Sequence, residues 1–284
     1  MRYLSIGLFL LFCYASSGIA GNDPSQRAAG IIPDFFPQSL TQETISPDGK
    51  SKNWQEPLSG MAFVWVDGGC FKMGCGIWDI DCRSREQPEH EVCVDGFWIG
   101  KFEVTQGEWK KLLGCNPALN KLSDRHPVDR ISWLDTQDII ERLNSRKYGL
   151  RFRLPTEAEW EFAARGRGRP ESFAGGNSAD EAAWHLNNSG DVPKAVGTKP
   201  ANILGIHDMS GNVREWVEDW YDPLYYQISP AHNPQGPDTG TMRVTRGGSW
   251  NSSAHSVRTV NRTWNDPTSR FAGYGVRLVA VPFP

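Results

Sequence analysis

Two hydrophobic periods divide the chain from residue 60 onward. Alternation marks strands in "CFKM" (70–73) and "HEVCVDGFWI" (90–99), "MAFVWVDGG" (61–69) reads as a strand ending in a Gly turn, and "GYGVRLVAV" (273–281) as an apolar carboxy-terminal strand. A helical period marks "TQGEWKKLL" (105–113), "SWLDTQDIIERLN" (132–144) and "TEAEWEFAARG" (156–166). Each helical stretch opens with a hydroxyl followed three residues later by a carboxylate: Thr105 and Glu108, Ser132 and Asp135, Thr156 and Glu159. The hydroxyl can accept from an orphan N–H while the carboxylate reaches back, so each pair predicts a capping box and a helix start. Gly149 and Gly166 supply stops after the second and third helices. Beyond Gly168 the pattern predicts short strands and turns with almost no helix.

The first twenty residues obey neither period. Arg2 precedes the apolar run Leu4–Phe12, and Gly18-Ile19-Ala20 forms a small-x-small end, which predicts a cleaved signal peptide over residues 1–20. Cys13 follows the bulky Phe12, unlike a lipoprotein acceptor. Residues 21–57, rich in Pro, Ser and Gln, read as an extended leader, and residues 58–284 as one domain. No later stretch is apolar enough to span a bilayer. The expected location is therefore secreted or periplasmic.

That compartment gives the cysteines a meaning. Cys70, Cys75, Cys82 and Cys93 lie within one short segment of an oxidising environment. An antiparallel pairing of "CFKM" with "HEVCV" nests Cys75–Cys82 inside Cys70–Cys93; the rival, a zinc site, has spacings that match no common zinc module. Cys115, in "LLGCNP", is left over and expected to be a free thiol. A net charge of −3 with 22% charged residues argues against a nucleic-acid partner. Twelve Trp, 29 Gly and 19 Pro predict a loop-rich core pinned by aromatic rings.

Seven motifs, "GGCFKMG", "FEVTQGEW", "HPVDRISWLD", "RFRLPTEAEWEFAARG", "LGIHDMSGNVREWVEDWY", "RVTRGGSW" and "YGVRLV", occur in an order that resembles the formylglycine-generating-enzyme-like (sulfatase-modifying factor) domain over roughly residues 60–280. The resemblance implies an α+β fold, irregular and C-type-lectin-like, with little regular secondary structure. It also implies oxidation of a substrate cysteine by O2 and a copper ion held on two cysteines that follow the Gly-Gly-Ser-aromatic motif. Here that motif is Gly247–Trp250, Ser252 stands at the first thiol position, and no Cys follows Cys115. A serine hydroxyl is hard and protonated at neutral pH and cannot replace a thiolate on Cu(I), so copper is not expected.

The same resemblance places a structural calcium on Asp208, the Gly211 and Val213 carbonyls, and Glu215. The alternative is that Asp208 caps the turn and Glu215 pairs with an arginine. Arg214 replaces a usual aromatic and could hold a carboxylate or phosphate, pair with Glu218, or lie exposed. Candidates for a pocket wall are Ser249, Trp250, Ser252, His255, Arg214, Arg246 and Arg258; for the arginines, pairing to the acidic "EWVEDW" segment competes with that role. His255 lies among Ser252, Ser253 and Ser256, yet no orienting carboxylate or sharp nucleophile turn accompanies it. The six His residues form no ligand pair, which leaves iron unsupported. Asn187, Asn251 and Asn261 head glycosylation sequons. Two functions remain. One is an exported binding module for a protein, peptide or small acidic ligand. The other is an unconventional oxidase maturing an exported sulfatase, protein or peptide, as in the family branch that matures the siderophore pyoverdine.

Overall fold

The strand alternation resolves into a hairpin and two sheets in a computed structural model that describes residues 52–146 and 148–283. The signal peptide over 1–20, Cys13 and most of the leader over 21–57 lie outside the described residues. In chain order the strands are β1 (Asn53–Gln55), β2 (Ala62–Val66), β3 (Gly69–Met73), β4 (His90–Val94), β5 (Phe97–Gly100), β6 (Leu150–Arg153), β7 (Arg214–Trp220), β8 (Arg243–Arg246), β9 (Arg262–Asn265), β10 (Tyr274–Val276) and β11 (Val279–Pro282). The helices are α1 (Gln106–Leu113), α2 (Trp133–Asn144), α3 (Glu157–Ala164) and the single turn α4 (Ala179–Ala182). One sheet runs β1-β2-β5-β11-β6, a second β10-β7-β8-β9, and β3-β4 stand as a hairpin. The arrangement is α+β with a low helix content, as expected.

The three capping boxes form as the sequence predicts. Thr105, Ser132 and Thr156 accept from the backbone N–H three residues on, while Glu108, Asp135 and Glu159 reach back. α2 ends earlier than Gly149 suggests, with Ser145 as its cap. β1 is an addition at the amino-terminal edge: Asn53–Gln55, counted with the leader, pair antiparallel with Ala62–Val64. The carboxy-terminal run divides where one strand is expected. Buried Arg277 donates to the Gly100 and His207 carbonyls, and the chain crosses there from β10 in one sheet to β11 in the other.

The nested disulfides are present. Cys70 and Cys93 are directly opposed in the β3–β4 register, with Cα atoms 3.9 Å apart, and Cys75–Cys82 closes the loop beyond. Cys115 departs from the expectation: it is disulfide-bonded, and no described cysteine is free. The free thiol was assigned by elimination from a local cluster, and sequence spacing alone does not record whether a thiol is bonded.

β7 separates two apolar clusters by its alternation. Trp216 packs with α1, α2 and the larger sheet, among Trp109, Trp133, Ile139 and Phe152. Val217 packs on the opposite side with Trp160, Phe162, Val244 and the hairpin. α3 is buried on every side, carboxylates included. Fully buried Asp219 accepts from the first backbone N–H of α3, on Glu157. Burial, then the Glu157 charge, hold the Asp219 carboxyl well above the usual range.

A carboxyl with a raised pKa in the folded state takes up its proton more readily when folded. Its contribution is complete below the unfolded pKa and is lost as pH rises through the folded one. Asp219→Asn is therefore expected to stabilise the protein relative to wild type at neutral pH. The difference should vanish below the ordinary carboxylate range, and thermal melts of both proteins across that interval check it.

Candidate functional site

The arginines named from sequence separate by strand parity. Glu215 on β7 lies opposite Arg246 on β8, which lies opposite Arg262 on β9, and all three face α3. Arg246 is 0% exposed; it donates to Glu161 at 2.6 Å and to the Thr259 and Val260 carbonyls. Arg262 clamps Glu157 at 2.8 and 2.6 Å. Burial would raise the Glu161 pKa, but Arg246 and Arg165 outweigh it and keep the carboxyl below its usual range. Arg246 thus neutralises a helix rather than lining a pocket.

Arg258 is likewise corrected. It is 2% exposed and donates to Asp79 at 2.9 Å and to both Glu86 oxygens at 2.9 and 3.0 Å. It ties the Ser252–Arg258 loop to the disulfide-closed loop Cys75–Cys82. The acids that engage these arginines come from α3 and from the disulfide segment, not from "EWVEDW". His255 Nε2 meets Arg83 Nε at 2.6 Å and Arg258 Nη2 at 3.2 Å, while Nδ1 lies 3.5 Å from Asp81. Ser253 and Ser256 bond to each other, and among the described residues His255 has no hydrogen bond to a serine side chain.

Arg214 occupies the opposite phase of β7. Its neighbours are Thr263 Oγ1, Ser252 Oγ at 3.4 Å, and the Tyr274 ring at 5.7 Å. It is 8% exposed, ringed by half-buried Ser252, Thr263 and Tyr274. Neither Glu218 nor any other carboxylate among the described residues is within ion-pair distance of it. Burial, and to a lesser degree the charge on Arg85, depress its pKa. Ser249 Oγ bonds to Asn251 and Ser252 beside it. The Trp250 Nε1 is buried without a partner, against Gly273, where an added Cβ would lie 3.1 Å away. Four of the seven candidates, Arg214, Ser249, Trp250 and Ser252, therefore gather on one face, and Arg246, Arg258 and His255 do not.

A separate cleft of about 580 Å³ lies beside the disulfide loop, lined by residues that include Ile77, Asp79, Pro88 and Gln227, and it contains none of the seven. Sequence reading missed Thr263, Tyr274 and Arg85. The β8–β9 alternation carried a signal for Thr263, but only the β7 register connects it to Arg214.

The turn Asp208–Glu215 contains a different electrostatic problem. Both Glu215 oxygens contact Arg277, at 2.8 to 3.1 Å, and Trp160 Nε1 adds a bond of 2.6 Å. Asp208 accepts from Gly197 N–H at 2.6 Å. Glu103, missed in the sequence, accepts from Val213 N–H at 2.8 Å and from the Asn212 side chain at 2.6 Å. Burial first, then Asp208 and Glu215, push the Glu103 carboxyl well up, and burial also raises Asp208. No group of three His, Cys, Asp or Glu side chains among the described residues is poised to hold a metal. A cation here would rest on Asp208 and Glu215 together with the Gly211 and Val213 carbonyls. Three buried carboxylates facing one guanidinium fit such a cation in charge.

The two buried arginines are expected to respond oppositely to loss of charge. Arg258→Met strands Asp79 and Glu86 and should cost about 3–5 kcal/mol. Arg214→Met removes a buried cation that no acid balances, so stability should hold or rise. Denaturant unfolding of both variants checks the contrast.

Comparison with known proteins agrees with this architecture. Residues 50–281 match the sulfatase-modifying factor enzyme 1-like domain. The chaperone protein LppX of Paenibacillus barcinonensis is 32% identical over 68% of this chain and 80% of its own length. The formylglycine-generating enzyme of Bos taurus is 31% identical over 99% of this chain and 94% of its own. The solved structure of PvdO from Pseudomonas aeruginosa superposes with a TM-score of 0.72 at 25% identity, covering 80% of this chain and 97% of that one. The order of motifs, the irregular α+β scaffold and these matches establish that the chain belongs to the formylglycine-generating-enzyme-like, sulfatase-modifying factor family.

Proposed function

We propose that this chain is an exported binding member of its family, one that receives an acidic ligand or acidic peptide at Arg214 and does not generate formylglycine by copper–thiol chemistry. The observation that carries the reading is a buried guanidinium that no carboxylate of the described residues neutralises. Such a charge is costly alone and is relieved by an incoming anion. Ser252, Thr263 and Ser249 supply hydroxyls beside it, and Tyr274 offers a ring face. Ser252 stands where the copper chemistry would need a thiolate. The relative named as a chaperone supports a role in binding another protein.

The second reading, an unconventional oxidase maturing an exported product, draws support from the near full-length likeness to a formylglycine-generating enzyme and from the likeness to PvdO. The two readings separate in one set of measurements. With copper supplied, the purified protein should convert no cysteine of a sulfatase-type peptide to formylglycine and should consume no O2. Acetate and an acidic peptide should each raise the melting temperature of wild type, and Arg214→Met should abolish both shifts. Formylglycine production would overturn the binding reading, as would anion shifts that persist in Arg214→Met.

We propose further that calcium occupies the Asp208–Glu215 turn and supplies charge neutralisation to Glu103, Asp208 and Glu215. A site filled at 100-fold excess over its dissociation constant adds about 2.7 kcal/mol of stability. Chelation should lower the melting temperature of wild type and leave Asp208→Ala unmoved. A chelator-insensitive wild type, with metal loss verified, would remove calcium from the account.

A further inference from the structure

We propose that the cleft beside the Cys75–Cys82 loop is a second binding site, one that takes a lysine side chain flanked by apolar residues of another polypeptide. It stands apart from the anion site at Arg214.

Ile77 and Ile80 lie within the loop that Cys75–Cys82 closes, and both are essentially fully exposed. Two ties hold them there. The disulfide fixes the ends of the loop, and Arg258 grips Asp79 at its middle, at 2.9 Å. The Asp81 N–H donates to the same carboxylate at 3.0 Å. A loop so tied does not fold its isoleucines inward, and apolar groups kept in water favour a partner that covers them. The adjoining cleft, about 580 Å³ with Ile77, Pro88 and Gln227 on its walls, has the size of a ligand site.

Charge selects the occupant. Two carboxylates line the cleft, Asp79 and Glu89, and Arg258 neutralises the first. Glu89 accepts from Trp78 Nε1 at 3.3 Å, and among the described residues no cation lies within ion-pair distance of it. Arg165 stacks on the Trp78 ring at 4.4 Å, but Glu161 holds its charge at 2.8 Å, and Arg83 turns to His255. The Glu89 carboxylate is also seated: a Cβ added at Gly76 would lie 2.2 Å from its Oε1, so it rests on bare loop backbone. With Oε1 on the indole, Oε2 is left for an incoming donor. An ammonium is a compact charge on an apolar stem and suits one free oxygen between apolar walls.

A free amine would meet Glu89 and leave the isoleucines bare, whereas apolar residues beside the lysine cover them. An anionic membrane is disfavoured, because Asp81 and Glu89 are exposed beside the isoleucines and repel its head groups. A second copy offers exposed Lys121 between exposed Leu119 and Leu122, but such a head-to-tail contact does not close on itself.

Acetyl-Leu-Lys-Leu-amide and its norleucine analogue, which keeps the stem and lacks the charge, are titrated calorimetrically into the full chain at low ionic strength. Neither carries a carboxylate for Arg214. Wild type should bind the lysine peptide about threefold more tightly than the norleucine peptide. Glu89→Gln should erase that preference, and Ile77→Ser should weaken both peptides about fivefold, with melting temperatures unchanged. Gly76→Ala, which keeps the Glu89 charge and crowds its seat, should reduce the preference. Arg214→Met should leave both affinities as they are. A preference that survives Glu89→Gln overturns the proposal, as do peptides that bind wild type equally or not at all, or that are lost in Arg214→Met. Light scattering and flotation with anionic vesicles separate the other occupants. Self-association abolished by Lys121→Gln would assign the cleft to a second copy, and vesicle binding abolished by Ile77→Ser would assign it to a membrane; either result overturns the lysine peptide.

Discussion

The burial of carboxylates on α3 is the constraint to which the surrounding strands conform. Glu157 and Glu161, one turn apart on a helix with no exposed side, cannot remain ionised inside the protein without guanidiniums placed against them. Arg262 and Arg246 come from adjacent strands of one sheet and Arg165 from the helix itself. Pairing of this kind contributes little net stability compared with an apolar core. Breaking it is expensive, because each partner removed leaves a charge behind. The register of β8 against β9 is therefore held by charge as well as by the backbone ladder.

That arrangement also leaves the opposite strand phase available. Because Glu215, Arg246 and Arg262 turn towards α3, the residues between them, Arg214, Thr245 and Thr263, turn the other way, with Tyr274 alongside. The face that lacks α3 lacks its carboxylates too, so Arg214 is buried without a counter-ion. Its neighbours are hydroxyls and an aromatic ring. A salt-bridge layer and a face of hydroxyls around an unpaired guanidinium are here the two sides of β7, β8 and β9.

The disulfide segment joins the two. Cys75–Cys82 closes the loop that carries Asp79, and the turn after it carries Arg83, Arg85 and Glu86. Asp79 and Glu86 fix Arg258, which holds the loop following the Gly-Gly-Ser-Trp motif, while Arg85 runs along the edge of β9. Ion pairs hold that loop in place, and serines lie along it.

Much of this was legible in the residues themselves. Capping boxes are contained within four residues, and the β3–β4 pairing follows from two alternating runs that bring Cys70 opposite Cys93, so local chemistry determines them. The motif order determined the family and the fold, and the missing cysteines are plain in the sequence. The roles of the arginines were not legible. Arg214, Arg246 and Arg258 are chemically identical, and each could pair, line a face or lie exposed. Strand parity and the approach of acids distant in sequence, Glu161 to Arg246 and Asp79 with Glu86 to Arg258, separated them. Glu103 follows the same rule. The state of a charge depends on what lies within a few ångströms, and for contacts made between segments distant in sequence only the tertiary structure decides that.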